Sequence, residues 1–359
     1  MRNRLAFLIL LSTTFITSSW ADDSVDAALA GGIVLSKSPE IAMQDETLTI
    51  TKFPSKDINQ GKFGIDVDFH FKNTSKQDLV RKIAFVLPPV DCHIDTVTMW
   101  RGLENTDSEM NNNGLKDFTV TVNDQTQHYT VRREAMMGNR NITDLLTTLK
   151  IPLNPCQIKI ETDNYPDKKY RNALQQNHLL DSTNSPAWSE HIYFEWLQKF
   201  PSNKIVHIQH HYTPVNGQSV TVPYTISDLT QRYSSQSSAQ HLMWLRDPST
   251  LTTTNPMIVN HNSDDHQIRF CLSPMWLDYQ LTTGANWQKG IGLFKLIIKD
   301  ENGATFAVNK FYKDTDQVQK TIQDNTMIFI ARNFIPQKNL FVMFLALPQT
   351  RQDLQICGM

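Results

Sequence analysis

The chain has 359 residues, with 34 lysines and arginines against 36 aspartates and glutamates, and 40% of it is hydrophobic. That near-neutral, slightly acidic balance disfavours nucleic acid as a partner, and the hydrophobic share supplies enough material for a core. The length is more than one core usually takes, so it points to two β-rich units, with a single elongated sandwich as the alternative.

The first 21 residues place Arg2 and Arg4 ahead of the apolar run "LAFLILLSTTFI" and the small-residue stretch "SSWA". This is the three-part pattern of a secretory signal peptide, with cleavage expected after Ala21. The apolar run is too short for the roughly 20 residues a membrane span needs, and no later stretch is long enough either. The expectation is an exported protein, periplasmic or extracellular, without a transmembrane segment. Loss of the leader removes two positive charges and makes the rest more acidic.

The four cysteines, Cys92, Cys156, Cys271 and Cys357, are an even number in an exported chain, and none is spaced as a zinc knuckle or redox pair. They read as two structural disulfides. Three pairings are open, and proximity favours Cys92 with Cys156 and Cys271 with Cys357.

In chain order, the clearest signal is "GIDVDFHFKN", where Ile65, Val67, Phe69 and Phe71 alternate with Asp66, Asp68, His70 and Lys72. Period two means a half-buried strand. The run "RKIAFVLPP" ends at Pro88 and Pro89, and "DFTVTVNDQTQHYTVRRE" reads as two strands about Asn123-Asp124. These form an N-terminal β unit, residues 22–140. Residues 141–185 read as a helical insertion, with one helix capped near Asn141 or Thr143 and another within "PDKKYRNALQQNHLLDS". A C-terminal β unit, 186–359, holds "WSEHIYFEWLQKFP", "HQIRFCL", "TMIFIARNF" and "NLFVMFLALP". It also holds "GLFKLIIKDENGATFAVNKF", read as a hairpin turning at Asn302-Gly303. The fold class is therefore mainly β, two sandwich-like units with a helical insertion between them.

Three histidines crowd "KIVHIQHHY". On a strand, His207, Gln209 and His211 share one face, while His210 lies on the other with Val206, Ile208 and Tyr212. His207 and His211 are then about 13 Å apart along the chain and cannot chelate one ion together, since zinc needs both nitrogens about 2 Å away. The reading is sheet, with no metal and no cofactor.

Two regions carry a family resemblance. "WSEHIYFEWLQKFPSNKIVHIQHHYTPVNG" contributes Trp188, Trp196, Phe200, Pro201, His211, Tyr212, Pro214 and Gly217, and "YQLTTGANWQKGIGLFKLIIKD" contributes Thr282, Thr283, Gly284, Asn286 and Trp287. They resemble the signatures of the bacterial exported family called domain of unknown function 4424. The opening stretches "AALAGGIVLSKSPEIAMQDETLTI" and "HFKNTSKQDLVRKIAFVLP" are similar to its first strands. The chain departs from the pattern at Gln288-Lys289-Gly290, where a proline is expected, and at "AVNKFYKD", where relatives carry a cysteine. The resemblance implies location and architecture but no activity.

Catalytic signatures are weak. Asp66 and Asp68 satisfy the spacing of a glycosidase pair, yet they lie on a polar strand face where solvated carboxylates belong. Glu190 and His191 are adjacent and point to opposite faces of a strand, and no GxSxG elbow is present. In "LTTGANWQKG", Gly284 reads as a turn residue, Asn286 as bonding backbone and Trp287 as packing inward. The competing reading makes a binding rim of Asn286 and Trp287, joined by Trp188 and His211 from the first signature. The expectation is a non-catalytic binding or scaffolding protein with an envelope glycan or protein partner. The alternative is a glycan-acting envelope hydrolase with its site between the two units.

Overall fold

The computed structural model describes residues 29–30, 32–35, 39–54, 62–87, 89–90, 115–158, 166–214, 217–218, 222–224, 242–245, 258–259, 269–287, 290–301 and 305–346. The stretch read as a signal peptide, the expected Asn302-Gly303 turn and three of the four cysteine side chains lie outside them.

The chain is mainly β. Leaving aside pieces of two or three residues, its strands are β1 (Gly32–Leu35), β2 (Ile41–Phe53), β3 (Lys62–Asn73), β4 (Leu79–Val86), β5 (Lys116–Val122), β6 (Thr130–Met137), β7 (Ser189–Phe200), β8 (Ile205–Thr213), β9 (Arg269–Tyr279), β10 (Ile291–Asp300), β11 (Thr305–Val308), β12 (Val318–Gln323), β13 (Thr326–Phe334) and β14 (Leu340–Ala346). Two short helices, α1 (Thr143–Thr148) and α2 (Lys168–Gln176), lie between β6 and β7.

Among the described residues the strands form three sheets. The first runs β12-β13-β10-β2-β3-β8-β5 and closes with the pair Gln125–Thr126. It is antiparallel throughout except for β10 against β2. The second runs β1-β4-β7-β6 with Arg140–Asn141, and the third is built on β9, β14 and β11. Strands from 22–140 and 186–359 are thus interleaved: β3 pairs with β8, and β4 with β7. Alternating sequence identifies a strand but not its partner, so the two ranges read from sequence do not appear as separate sheets.

Burial follows the alternation. Ile65, Val67, Phe69 and Phe71 of β3 are all at most 1% exposed, and Val206, Ile208, His210 and Tyr212 of β8 lie beside them. One continuous apolar cluster takes in Phe85 and Phe194 of the second sheet and Met275 and Phe344 of the third. The helices cover a smaller cluster of their own, in which Leu146 and Leu174 meet Ala135 and Trp188. α2 starts where Asp167 accepts a hydrogen bond from the Lys169 amide.

Two local features differ from expectation. β10 and β11 are not a hairpin: β10 lies between β2 and β13, and β11 pairs with β14. The apolar content of "GLFKLIIKD" places it at the centre of a sheet, and a turn signal after it does not oblige the chain to fold back on itself. In the signature loop, Gly284 lies within a 3₁₀ turn, Leu281–Asn286, and the left-handed conformation falls on Gly290, at φ +77. A Cβ at Gly290 would lie 2.6 Å from the Phe334 carbonyl oxygen, so both conformation and space demand glycine there.

Candidate functional site

The solvent side of the first sheet carries an ordered array of polar side chains, placed by the register of four strands. Asp45, His70 and His207 stand in one row across β2, β3 and β8. Thr47, Asp68, Gln209 and Thr121 make the second, and Thr49, Asp66, His211 and Thr119 the third. Residues facing each other in this way have Cβ atoms about 5 Å apart, within reach of direct side-chain contact.

Asp45 enters the array because β2 is bulged between Met43 and Asp45. The extra residue, Gln44, shifts the alternation so that Met43 and Glu46 both face inward. Gly292 on β10 accommodates it, since a Cβ there would lie 2.4 Å from the Gln44 carbonyl oxygen.

Each aspartate in the array is engaged by a histidine. Asp45 Oδ1 lies 2.7 Å from His70 Nδ1, Asp68 Oδ1 2.8 Å from His207 Nε2, and Asp66 Oδ1 2.7 Å from His211 Nδ1. The second oxygen of Asp68 accepts from Gln209 Nε2 at 3.1 Å, and Gln209 Oε1 accepts from the Thr121 hydroxyl at 3.1 Å. The imidazoles of His70 and His207 stack in parallel with centroids 4.4 Å apart. Apart from His207, these groups line an open depression of about 570 Å³.

Beneath the array the core holds charge-bearing groups of a different kind. Glu46 is buried, accepts from the Tyr279 hydroxyl at 3.4 Å, and is pushed up to about 8 by desolvation, so it is protonated at neutral pH. His210 is buried among Phe69, Phe85, Phe118 and Trp196, and loss of solvent lowers it to about 3. It is neutral, and neither ring nitrogen has a hydrogen-bond partner among the described residues. Lys52 and Asp300 form a buried ion pair at 3.2 Å.

The residues read from sequence as a binding rim do not gather in one place. Trp287 is 4% exposed, its ring 4.4 Å from that of Phe71 in the main core. Trp188 is 3% exposed in the helix-covered cluster and donates Nε1 to the Leu153 carbonyl at 2.9 Å. Neither presents a face to solvent. Asn286 ends the 3₁₀ turn, and its side chain lies outside the described residues. Among the described side chains of this set only His211 is exposed, and it belongs to the array. The remaining disulfide signal is at Cys156, which is disulfide-bonded.

Sequence reading missed His70, Asp45 and Gln209 as members of one site. A signal was there: "DVDFH" on β3 and "HIQHH" on β8 carry complementary acidic and imidazole faces. Along β8 His207 and His211 are too far apart to share an ion, and the sequence alone does not name the ligands that one of them could join from another strand. The pairing of β3 with β8 brings His70 opposite His207 instead.

One nucleophile-base contact occurs elsewhere, Ser189 Oγ to His191 Nε2 at 3.1 Å. The acid opposite His191, Glu134, is held in an ion pair with Arg132, so no aligned triad results.

Residues 21–343 match the family model described as Domain of unknown function (DUF4424). The chain belongs to that family. The signature residues of this DUF4424 chain are largely structural, for Phe200, Tyr212 and Trp287 are all core. No curated protein matches it by sequence. Among solved structures it is similar to a Legionella pneumophila protein proposed to bind nutrients, at 15% identity and a TM-score of 0.43, over 89% of this chain and 72% of that one. It is also similar to an M1 zinc metallopeptidase from Deinococcus radiodurans, at 7% identity and a TM-score of 0.24, over 85% of this chain and 42% of the peptidase. This chain thus spans less than half the length of the peptidase. Likenesses of this extent say nothing of what this chain binds. Among the described residues no helix is long and apolar enough to cross a membrane.

Proposed function

We propose that this DUF4424 chain is an exported protein that works by binding, and that its binding surface is the Asp-His array on the outer face of the first sheet. The observation that carries the reading is the convergence of Asp45, Asp66 and Asp68 with His70, His211 and four threonines around one open depression, with His207 bonded to Asp68 beside it. Such a surface offers carboxylates, hydroxyls and imidazoles at close spacing, which suits a small hydrophilic ligand rich in hydrogen-bond donors or positive charge. A rigid sheet holds these groups without a further ordering cost on binding.

Export follows from the leader pattern, and the protein isolated from outside the inner membrane is expected to begin near Asp22. N-terminal sequencing that finds Met1 there contradicts it. The cysteines fit the same compartment as pairs Cys92 with Cys156 and Cys271 with Cys357, which peptide mapping without reductant will test.

For the binding surface, backbone amide NMR of the parent titrated with arginine and with spermidine tests the reading. Shifts are expected in residues 45–49, 66–70, 119–121 and 207–211, and should vanish in the Asp66→Asn, Asp68→Asn double variant. Shifts confined to other strands contradict it.

A further inference from the structure

Asp68, His70 and His207 each direct one donor atom to a common region at one end of the array, and these three atoms all lie within 4.8 Å of one another. Asp68 Oδ1 stands 2.8 Å from His207 Nε2 and 3.6 Å from His70 Nδ1. Around a tetrahedral ion with bonds near 2 Å, neighbouring donors are about 3.3 Å apart, so the observed spacings bracket the value a metal requires. We propose that Asp68, His70 and His207 form a binding site for a divalent transition-metal ion of the zinc, copper and nickel type. The inference deepens the reading of the outer face as a binding surface and rests on it, by naming the ligand class at that end of the array.

Three features separate this arrangement from a chance meeting of exposed side chains. The first is the support behind Asp68. Gln209 donates to its Oδ2, and Thr121 donates to Gln209, so the carboxylate is oriented with Oδ1 toward the two imidazoles. Outer hydrogen bonds of this kind fix a ligand's direction before the ion arrives.

The second is the backbone. His70 and His207 are direct cross-strand partners, and Asp68 is two residues from His70 on the same strand face. All three therefore stand on neighbouring strands in the interior of an eight-stranded sheet, where the main chain is least free to move.

The third is access. The three side chains are between 24% and 37% exposed, open enough for an ion to enter and for water to complete its coordination. The rings of His70 and His207 stack in parallel, so to ligate one ion both must rotate out of the stack about their Cβ–Cγ bonds, a torsion with broad preferences. Asp45, 2.7 Å from His70 Nδ1, adds a second carboxylate at the edge of the site.

The donor set chooses the class of ion. Two imidazole nitrogens and one carboxylate oxygen suit zinc, copper or nickel, whereas calcium and magnesium call for six or more oxygens. On binding, the ion takes the place of the protons that His207 shares with Asp68 and His70 with Asp45, and both histidines bind as neutral ligands.

The test is isothermal titration of the processed protein, free of any affinity tag and stripped with EDTA, with zinc chloride. One saturable site per chain is expected, with at least tenfold weaker binding in each of His70→Asn, His207→Asn and Asp68→Asn. His128→Asn, which changes an exposed histidine that is not one of the three ligands, should bind as the parent does. Calcium chloride should give no saturable heat. Thermal melts establish that each variant is folded. Absence of saturable zinc binding, or parent-like binding in folded His70→Asn and His207→Asn, overturns the inference. If arginine and spermidine still shift the amides of the array while zinc does not bind, the metal inference alone falls. If neither occurs, the binding reading falls with it.

Discussion

Trp287 and His210 show how differently two buried rings bear on stability. Trp287 fills space against Phe71, and its Nε1 has no hydrogen-bond partner among the described residues. Its replacement by alanine is expected to cost about 3 to 5 kcal/mol, read as a lower melting temperature. Phenylalanine at the same position removes the unsatisfied donor while keeping most of the ring, so it should cost far less. A melting temperature within a degree of the parent for Trp287→Ala would contradict the core assignment. His210 is lowered to about 3 by burial, so between that pH and the ordinary histidine value the unfolded chain binds the extra proton. Its contribution to stability is full above about 6.5 and is lost as pH falls toward 3. His210→Phe is expected to abolish that loss, so the gap between variant and parent melting temperatures should widen as pH drops from 7 to 4. Glu46 and Asp278 act in the opposite direction, because burial raises them to about 8 and about 7. Their stability is present below the ordinary carboxylate range and is lost as pH rises through those values. Glu46→Gln should therefore gain on the parent between pH 5 and pH 8, and a constant difference across that range would contradict its burial as an acid. The inward direction of His210 and Trp287 was legible in the sequence, from strand alternation and from the aromatic character of the loop. Glu46 was not, because a single bulge at Gln44 inverts the face on which it is counted.

At the scale of elements, alternation and turn chemistry gave the strands their positions but not their neighbours. The strand read in "GIDVDFHFKN" is β3, and Asn123 and Asp124 take φ 48 and φ 65, the left-handed pair that a tight hairpin turn requires. Yet this turn joins β5 only to the short Gln125–Thr126 piece, and β6 leaves for the second sheet. The left-handed position of the signature loop was likewise assigned to Gly284, whereas Gly290 occupies it. The space around Gly290 depends on Phe334, a residue far along the chain, and nothing local announces it. Gly290→Ala is expected to destabilise by more than about 1 kcal/mol, through its positive φ and the contact with Phe334. Unchanged melting in that variant would contradict the conformation of the loop. The candidate site was hidden for the same reason as these pairings. Its parts lie on β2, β3, β5 and β8, and only the register makes His70 face His207 and Asp68 face Gln209.

The whole molecule draws each of its first two sheets from both ends of the sequence, with β10 set beside β2 and β7 beside β4. Shared sheets and a continuous apolar cluster couple these segments, so scanning calorimetry is expected to show one cooperative transition. Two well-separated transitions would contradict that coupling. The same arrangement explains why one face of the first sheet is free to carry a polar array: the other two sheets contribute to the cluster on its opposite side, leaving Asp66, Asp68, His70, His207 and His211 outward. The account's central claim is that this outer face binds a divalent transition-metal ion through Asp68, His70 and His207. The most direct measurement is histidine side-chain ¹H–¹⁵N NMR during a zinc titration of the EDTA-stripped protein. The ring resonances of His70 and His207 are predicted to shift together and saturate, while those of buried His210 and of His128, outside the three ligands, stay in place. Ring resonances that remain unmoved at His70 and His207, or that move no more than those of His128, would contradict the claim.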